Sequence, residues 1–97
     1  MYAGIIVGRV WATVKTPSLE GLKLLLVQPT TWDKKPTGDP VVMADCVGAG
    51  AGEFIFYVKA REAAVAFGGK SLEDTPPVDG AVLGIIDGVQ ICLWQKL

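Results

Sequence analysis

The chain has 97 residues, of which 51% are hydrophobic and 20% are charged. This length corresponds to a single domain, because domains typically contain about 100–150 residues. Intrinsic disorder is excluded, since it requires low hydrophobicity and a high net charge, whereas the formal net charge here is −1. A domain of this size buries only roughly 60–65% of the surface of its unfolded chain. We therefore expect more apolar side chains than one core can hold, and a partner surface that covers the rest.

The charge pattern argues against two large classes of partner. Nine Lys and Arg residues stand against ten Asp and Glu residues, without the basic excess of proteins that neutralise phosphates. No segment approaches the ~18 consecutive apolar residues of a membrane span, and no basic stretch typical of a signal peptide precedes the first apolar run. The sequence predicts a cytosolic protein that binds neither nucleic acid nor membrane.

Six short strands are predicted in chain order. Runs of β-branched, aromatic and other apolar residues indicate strands at Tyr2–Val14, Leu22–Gln28, Val41–Val47, Phe54–Val58, Ala81–Ile86 and Val89–Trp94. The first two strands are apolar on both faces. Pro29 is expected to end the second strand, and the polar, turn-rich sequence from Pro29 to Pro40 predicts an exposed loop.

One short helix and one tight hairpin complete the predicted elements. Apolar residues at helical spacing predict a helix of about two turns over Ala60–Phe67, and Asp87-Gly88 predicts a tight turn between the last two strands. Strands that do not alternate with helices favour an all-β fold. The predicted architecture is an antiparallel β-barrel with one short helix, forming a single domain over residues 1–97.

Catalytic chemistry has little support in the residue types present. The chain has no histidine, which excludes histidine-dependent triads and the commonest zinc ligand. Asp45, Asp79 and Asp87 stand among apolar residues, where two carboxylates could form an acid/base pair. The interpretation that we favour is that they accept hydrogen bonds from turn amides, or pair with a lysine such as Lys15 or Lys23. We predict no catalytic residue, no metal site and no cofactor.

The two cysteines and a glycine-rich segment are further candidates for chemistry. Cys46 and Cys92 lie in apolar runs without a C-x-x-C spacing, which predicts buried, reduced thiols. The segment Gly48-Ala49-Gly50-Ala51-Gly52 is superficially similar to a nucleotide-binding loop, but a strand follows it instead of a helix, and the Gly-Lys-Ser/Thr ending is missing. Its glycines permit tight turns and the close approach of another backbone. One use of such a loop is to meet copies of itself around a symmetry axis.

Three blocks of sequence, the first of which consists of two segments, resemble one known family. Residues Val10–Lys15 (VWATVK) and Leu19–Pro29 (LEGLKLLLVQP) closely resemble the opening of the bacterial microcompartment vertex proteins, the EutN/CcmL-like family. The segment Ala44–Glu53 (ADCVGAGAGE) is similar to the family's A-x-D-x-V-G-A-G-x-G-E signature. The segment Pro77–Asp87 (PVDGAVLGIID) is similar to its closing V-D-x-A-V-x-G-I-I-D block.

The resemblance implies a structural role without catalysis. It implies an OB-like barrel that assembles as a cyclic homopentamer and caps the vertices of a polyhedral, carboxysome-like shell in the cytoplasm, beside hexameric microcompartment shell proteins. It also implies positions near subunit contacts or the central opening for Gly48, Ala49, Gly50, Ala51 and Gly52. A closed ring requires two different apolar patches on each subunit, for which the doubly apolar strands suggest Trp11 and Leu25.

Two other classes of function remain open from the residues alone. OB-like barrels can bind single-stranded nucleic acid by stacking bases on exposed aromatic residues, and the candidates here are Trp11, Trp32, Tyr57 and Trp94. The acidic balance and the dispersed lysines argue against this function. A small enzyme subunit that uses Asp45 or Asp79 is the third alternative.

Overall fold

Five strands form a closed β-barrel in a computed structural model that describes residues 1–11, 23–59 and 79–92. The strands are β1 (Tyr2–Val10), β2 (Leu24–Thr30), β3 (Val41–Asp45), β4 (Phe54–Lys59) and β5 (Gly80–Ile85). All-β architecture is therefore confirmed. The predicted helix over Ala60–Phe67 lies outside the described residues. Among those that are described, no helix has the length and apolar character needed to cross a membrane.

The barrel closes because every strand has two hydrogen-bonded neighbours. The strand order is β1-β2-β3-β5-β4, and β4 returns to pair with β1. Four pairings are antiparallel, as predicted, while β3 and β5 run parallel through the short pairing of Ala44 with Ala81 and of Asp45 with Val82. Closure gives every strand of the described barrel a neighbour on each side, so none of the five is an edge strand.

The core is filled by side chains from all five strands and from the loop after β3. Successive residues of a strand point to opposite faces, so each strand sends alternate side chains inward. The buried cluster consists of Ile6, Leu25, Val27, Met43, Ala49, Ile55, Tyr57 and Val82.

Large apolar side chains also remain on the outside of the barrel, as the composition predicted. They are distributed over the first strand, the loops, the end of β5 and the residues after it: Met1, Tyr2, Val7, Trp11, Trp32, Val47, Ile85, Val89 and Ile91. Ile6 is buried in the core, and the next residue of β1, Val7, faces outward and is 51% exposed, as strand alternation requires. The isolated chain therefore exposes apolar surface that a partner could cover.

Leu25 lies in the core and not at the surface. Its side chain is 0% exposed, so it has no area with which to contact another subunit, and its prediction as an interface residue was wrong. Leu24, Leu25 and Leu26 are all apolar, so the alternation that normally indicates the inner face is lacking there. The pairing with β1 and β3 decides the orientation instead.

Two strand boundaries also differ from the prediction. Pro29 was expected to end the second strand, but it pairs with Gly4 inside β2, and its carbonyl oxygen accepts a hydrogen bond from the Thr37 amide. A sixth strand was expected over Val89–Trp94, yet Val89–Cys92 are exposed and not in a strand, while Leu93 and Trp94 lie outside the described residues. The physical reason is closure: β5 is already paired with β3 and β4, so neither of its edges can accept a hairpin partner.

Gly80 is a position where the barrel depends on the absence of a side chain. A Cβ at Gly80 would overlap the backbone carbonyl oxygen of Val58, whereas a Cβ at Gly88 has nothing within 4 Å. We expect Gly80→Ala to lower the free energy of unfolding by about 1–3 kcal/mol through overpacking. Gly88→Ala is the matched control and should change it by less than about 0.5 kcal/mol. Urea unfolding at one protein concentration makes the comparison, and equal stabilities would contradict the proposed packing.

Candidate functional site

The most organised surface feature is the loop between β3 and β4, called here the glycine loop (Cys46–Glu53). Gly48 and Gly52 have φ angles of +77° and +84°, in the left-handed region, and a Cβ at either position would meet open space. Glycine is required at both positions by backbone conformation, since other residues rarely adopt such angles. The rest of the loop is held by hydrogen bonds to charged side chains, two of which lie outside the loop and one within it.

Asp45, the last residue of β3, fixes the first half of the glycine loop. Its Oδ1 atom accepts hydrogen bonds from the amides of Val47, Gly48 and Ala49 at 3.0, 3.1 and 3.3 Å. Its Oδ2 atom lies 3.4 Å from Nζ of Lys23, and the Asp45 side chain is only 2% exposed. The prediction that this carboxylate bonds turn amides and pairs with a lysine is confirmed. A buried carboxylate satisfied in this way is a structural group and not a free acid or base.

Further bonds attach the glycine loop to the rest of the barrel. Nζ of Lys23 also donates to the Ala49 carbonyl at 2.9 Å, and Ala49 itself is buried in the core. Oε1 of Glu53 accepts from the Gly50 amide at 2.6 Å. Ile6 in β1 donates to the Glu53 carbonyl at 3.1 Å and accepts from the Gly52 amide at 2.7 Å. The loop is thus anchored to β1, to β3 and to the residue before β2.

This hydrogen bonding argues against a phosphate site in the glycine loop. A phosphate cradle needs backbone amides that point at the ligand and are free to donate. The amides of residues 47–50 already donate to Asp45 and Glu53, and both acceptors are carboxylates that would repel an anion. The interpretation of the glycines as a turn-forming segment therefore stands.

The other two candidate carboxylates, Asp79 and Asp87, are too far apart to form an acid/base pair with each other. Asp79 and Asp87 are exposed and flank β5, whose six residues separate its ends by roughly 20 Å. Within residues 1–11, 23–59 and 79–92, no group of three His, Cys, Asp or Glu side chains is arranged to hold a metal ion.

The cysteines are not buried as predicted. Cys46 and Cys92 are both free thiols on the surface of the isolated chain. β3 ends one residue before Cys46, so the apolar run around it continues into the exposed turn of the glycine loop. Partial burial, and secondarily the negative charge of Asp45, raises the pKa of the Cys46 thiol above its ordinary value. A raised pKa means less thiolate and lower nucleophilicity near neutral pH.

The aromatic candidates for base stacking do not form one surface. Tyr57 is buried and stacks on Tyr2, with 5.6 Å between ring centroids. Trp11 follows β1 and is 82% exposed, while Trp32 follows β2. Because β1 and β2 are antiparallel, the two tryptophans lie at opposite ends of the barrel. Trp94 lies outside the described residues. A continuous stacking platform of the kind that binds single strands is absent from the described part of the chain.

A groove of about 470 Å³ opens at the end of the barrel that carries Trp32. Its wall includes the Tyr2–Tyr57 stack, and the ammonium group of Lys59 sits 4.4 Å from the centroid of the Tyr2 ring. This cation–π contact packs Lys59 against the wall.

The conformational requirement at Gly48 can be tested directly. Gly48→Ala should destabilise the protein by about 1–2 kcal/mol, because the left-handed conformation is unfavourable for a residue with a Cβ. Gly48→Asn should be less harmful, since Asn adopts that conformation more readily. Urea unfolding of both variants measures the difference. Equal stability of wild type and Gly48→Ala would show that the loop does not hold this backbone angle.

Comparisons with known proteins agree with this fold and locate it in a family. Residues 1–87 match the family described as ethanolamine utilisation protein EutN/carboxysome. The shell vertex protein GrpN of Rhodospirillum rubrum is 39% identical over 90 residues, which are 93% of this chain and 97% of the relative. The shell vertex protein PduN of Salmonella typhimurium is 37% identical over 91 residues, which are 90% of this chain and 96% of the relative.

Solved structures show the same barrel. The pentameric microcompartment shell protein GrpN from Rhodospirillum rubrum superposes with a TM-score of 0.79 at 36% identity, covering 95% of this chain and 100% of that one. CcmL of Gloeobacter violaceus superposes with a TM-score of 0.79 at 35% identity, covering 94% and 90% respectively. With the match over residues 1–87 and relatives of this identity over nearly their whole length, the chain belongs to the EutN/CcmL family.

Proposed function

We propose that this chain is a structural shell protein whose cyclic homopentamers cap the vertices of a polyhedral bacterial microcompartment. The observation that carries the proposal is the match to a shell vertex protein over 93% of this chain, together with a shared barrel in a solved relative described as pentameric. The relatives are named as shell vertex proteins, which supports the expectation of a structural role and of a place in the shell.

The physics of a ring is consistent with the exposed apolar side chains. In a cyclic assembly each subunit presents two different patches, one to each neighbour. Within the described residues each strand of the barrel has a neighbour on both sides, which favours association through side chains and loops. The exposed apolar residues of β1, its C-terminal end and the segment after β5 supply such side chains.

We propose that two features of the chain contribute to the ring. The glycine segment Gly48, Ala49, Gly50, Ala51 and Gly52 lies at a subunit contact or at the central opening, supported by the exposure of Gly48, Ala51 and Gly52 and by the open space at Gly48 and Gly52. Ala49 is 0% exposed, so its side chain anchors the segment in the core and does not itself contact a neighbour. Trp11 lies at a subunit contact, supported by its 82% exposure, since large aromatic side chains dominate the binding energy of interfaces.

The outer rim of the pentamer would meet other shell components. We propose hexameric microcompartment shell proteins as these partners, because a polyhedral shell needs flat tiles between its five-fold vertices. The alternative of single-stranded nucleic-acid binding is not favoured, since Tyr57 is buried and Trp11 and Trp32 lie at opposite ends of the barrel.

The solution mass of the purified protein tests the pentamer. The expected species has about five times the chain mass of 10.3 kDa, as measured by native mass spectrometry at several protein concentrations. A stable monomer or a hexamer would contradict the proposal.

A charge at Trp11 should weaken the ring and leave the barrel folded. Trp11→Asp places a carboxylate in a contact that excludes water, where an unpaired charge is strongly unfavourable. We expect a shift toward folded monomers by native mass spectrometry, with β-sheet circular dichroism retained. Trp32→Asp is the matched control, because Trp32 is also exposed but lies at the opposite end of the barrel. An intact pentamer for Trp11→Asp, or the same dissociation in both variants, would contradict the role of Trp11.

A further inference from the structure

The glycine loop combines a flexible sequence with a fixed conformation. Three of its five residues from position 48 to position 52 are glycine, the residue that loses most conformational freedom when it is ordered. A loop that becomes ordered only on association weakens binding, since part of the interaction energy offsets the lost entropy. In a ring, this loss would occur once in every subunit.

Two charged side chains that belong to the barrel remove this difficulty. Asp45 holds three consecutive amides of the loop, and Lys23 holds the Ala49 carbonyl and the Asp45 carboxylate together. The two residues are themselves joined by the backbone, because the Asp45 amide donates to the Lys23 carbonyl at 2.9 Å. They flank the β2–β3 pairing of Leu24 with Ala44. The loop conformation is thus fixed by the barrel before any partner arrives.

The Lys23–Asp45 ion pair is less exposed to solvent than an ordinary surface ion pair. The Asp45 side chain is 2% exposed and that of Lys23 is 35% exposed, so the carboxylate itself is shielded from competing water. Charge-assisted hydrogen bonds in such surroundings are stronger than neutral ones. The described residues contain a contrasting pair, Lys35 with Asp33 at 3.5 Å, whose side chains are 78% and 51% exposed. Pairs of that exposed kind contribute little.

We propose that Asp45 and Lys23 are positioning residues for pentamer assembly, which preset the glycine loop in the conformation that the neighbouring subunit meets. The inference rests on the proposed function and on the proposed location of the loop at a subunit contact or the central opening. Asp45 and Lys23 act through the loop backbone and need not touch the partner themselves. Their effect is to lower the entropy lost on association.

The test compares assembly with folding in a set of matched variants. Asp45→Ala removes all three amide contacts and should raise the protein concentration at which half of the pentamer dissociates about tenfold or more. Asp45→Asn keeps an Oδ1 acceptor and should recover most of the assembly, while Lys23→Met should weaken it in the same direction. Asp33→Ala and Lys35→Met, which break the exposed pair, should leave the dissociation midpoint unchanged. The measurement is mass photometry or sedimentation over a dilution series.

Amide hydrogen exchange separates a positioning role from general destabilisation. In Asp45→Ala, the amides of Val47, Gly48 and Ala49 should exchange faster, while those of β1 and β4 keep their wild-type protection. Two results would overturn the inference and leave the pentamer proposal intact. In the first, Asp45→Ala assembles like the wild type. In the second, Asp45→Ala loses amide protection throughout the barrel in proportion to its loss of assembly. A wild-type protein that is itself monomeric would overturn both.

Discussion

Closure of the five-stranded barrel is the constraint on which the rest of the structure depends. Because β4 returns to β1, every strand of the described barrel has two hydrogen-bonded neighbours, and β5 lies between β3 and β4 with no place for a hairpin partner. The chain exposes large apolar residues on its outer face, and these offer assembly a surface of side chains and loops. Closure also explains why the apolar segment after β5 lies exposed over Val89–Cys92 instead of continuing the sheet.

The sequence predicts a structural feature well when the contacts that determine the feature are between residues close together in the chain. Strand positions follow from β-branched and aromatic runs, and Asp45 could be assigned because a carboxylate among apolar residues must be satisfied nearby. The burial of Leu25 and the absence of strand structure over Val89–Cys92 could not be predicted, because both depend on long-range pairing. The orientation of Leu25 is set by the pairing of a strand that is apolar on both faces, and the residues after β5 have no place in the sheet because β5 already has a neighbour on each side. The partnership of Glu53 with the Gly50 amide was also missed, although a carboxylate that follows a glycine turn is a recognisable signal.

The same features connect the fold to a place in a shell. Family membership and near-complete coverage of a shell vertex protein support the proposed role, and the barrel supplies a rigid subunit for it. The glycine loop, fixed by Asp45, Lys23 and Glu53, presents a defined backbone surface of low side-chain bulk. Low bulk suits a crowded position near a symmetry axis, where several copies of one segment approach each other.

A density map of the purified oligomer, determined by electron cryo-microscopy at side-chain resolution, tests the central claim most directly. The account predicts a five-fold symmetric ring of closed barrels in which the glycine loop of each subunit contacts its neighbour or borders the central opening. A ring of another order, or a five-fold ring whose glycine loops face open solvent away from both, would contradict it.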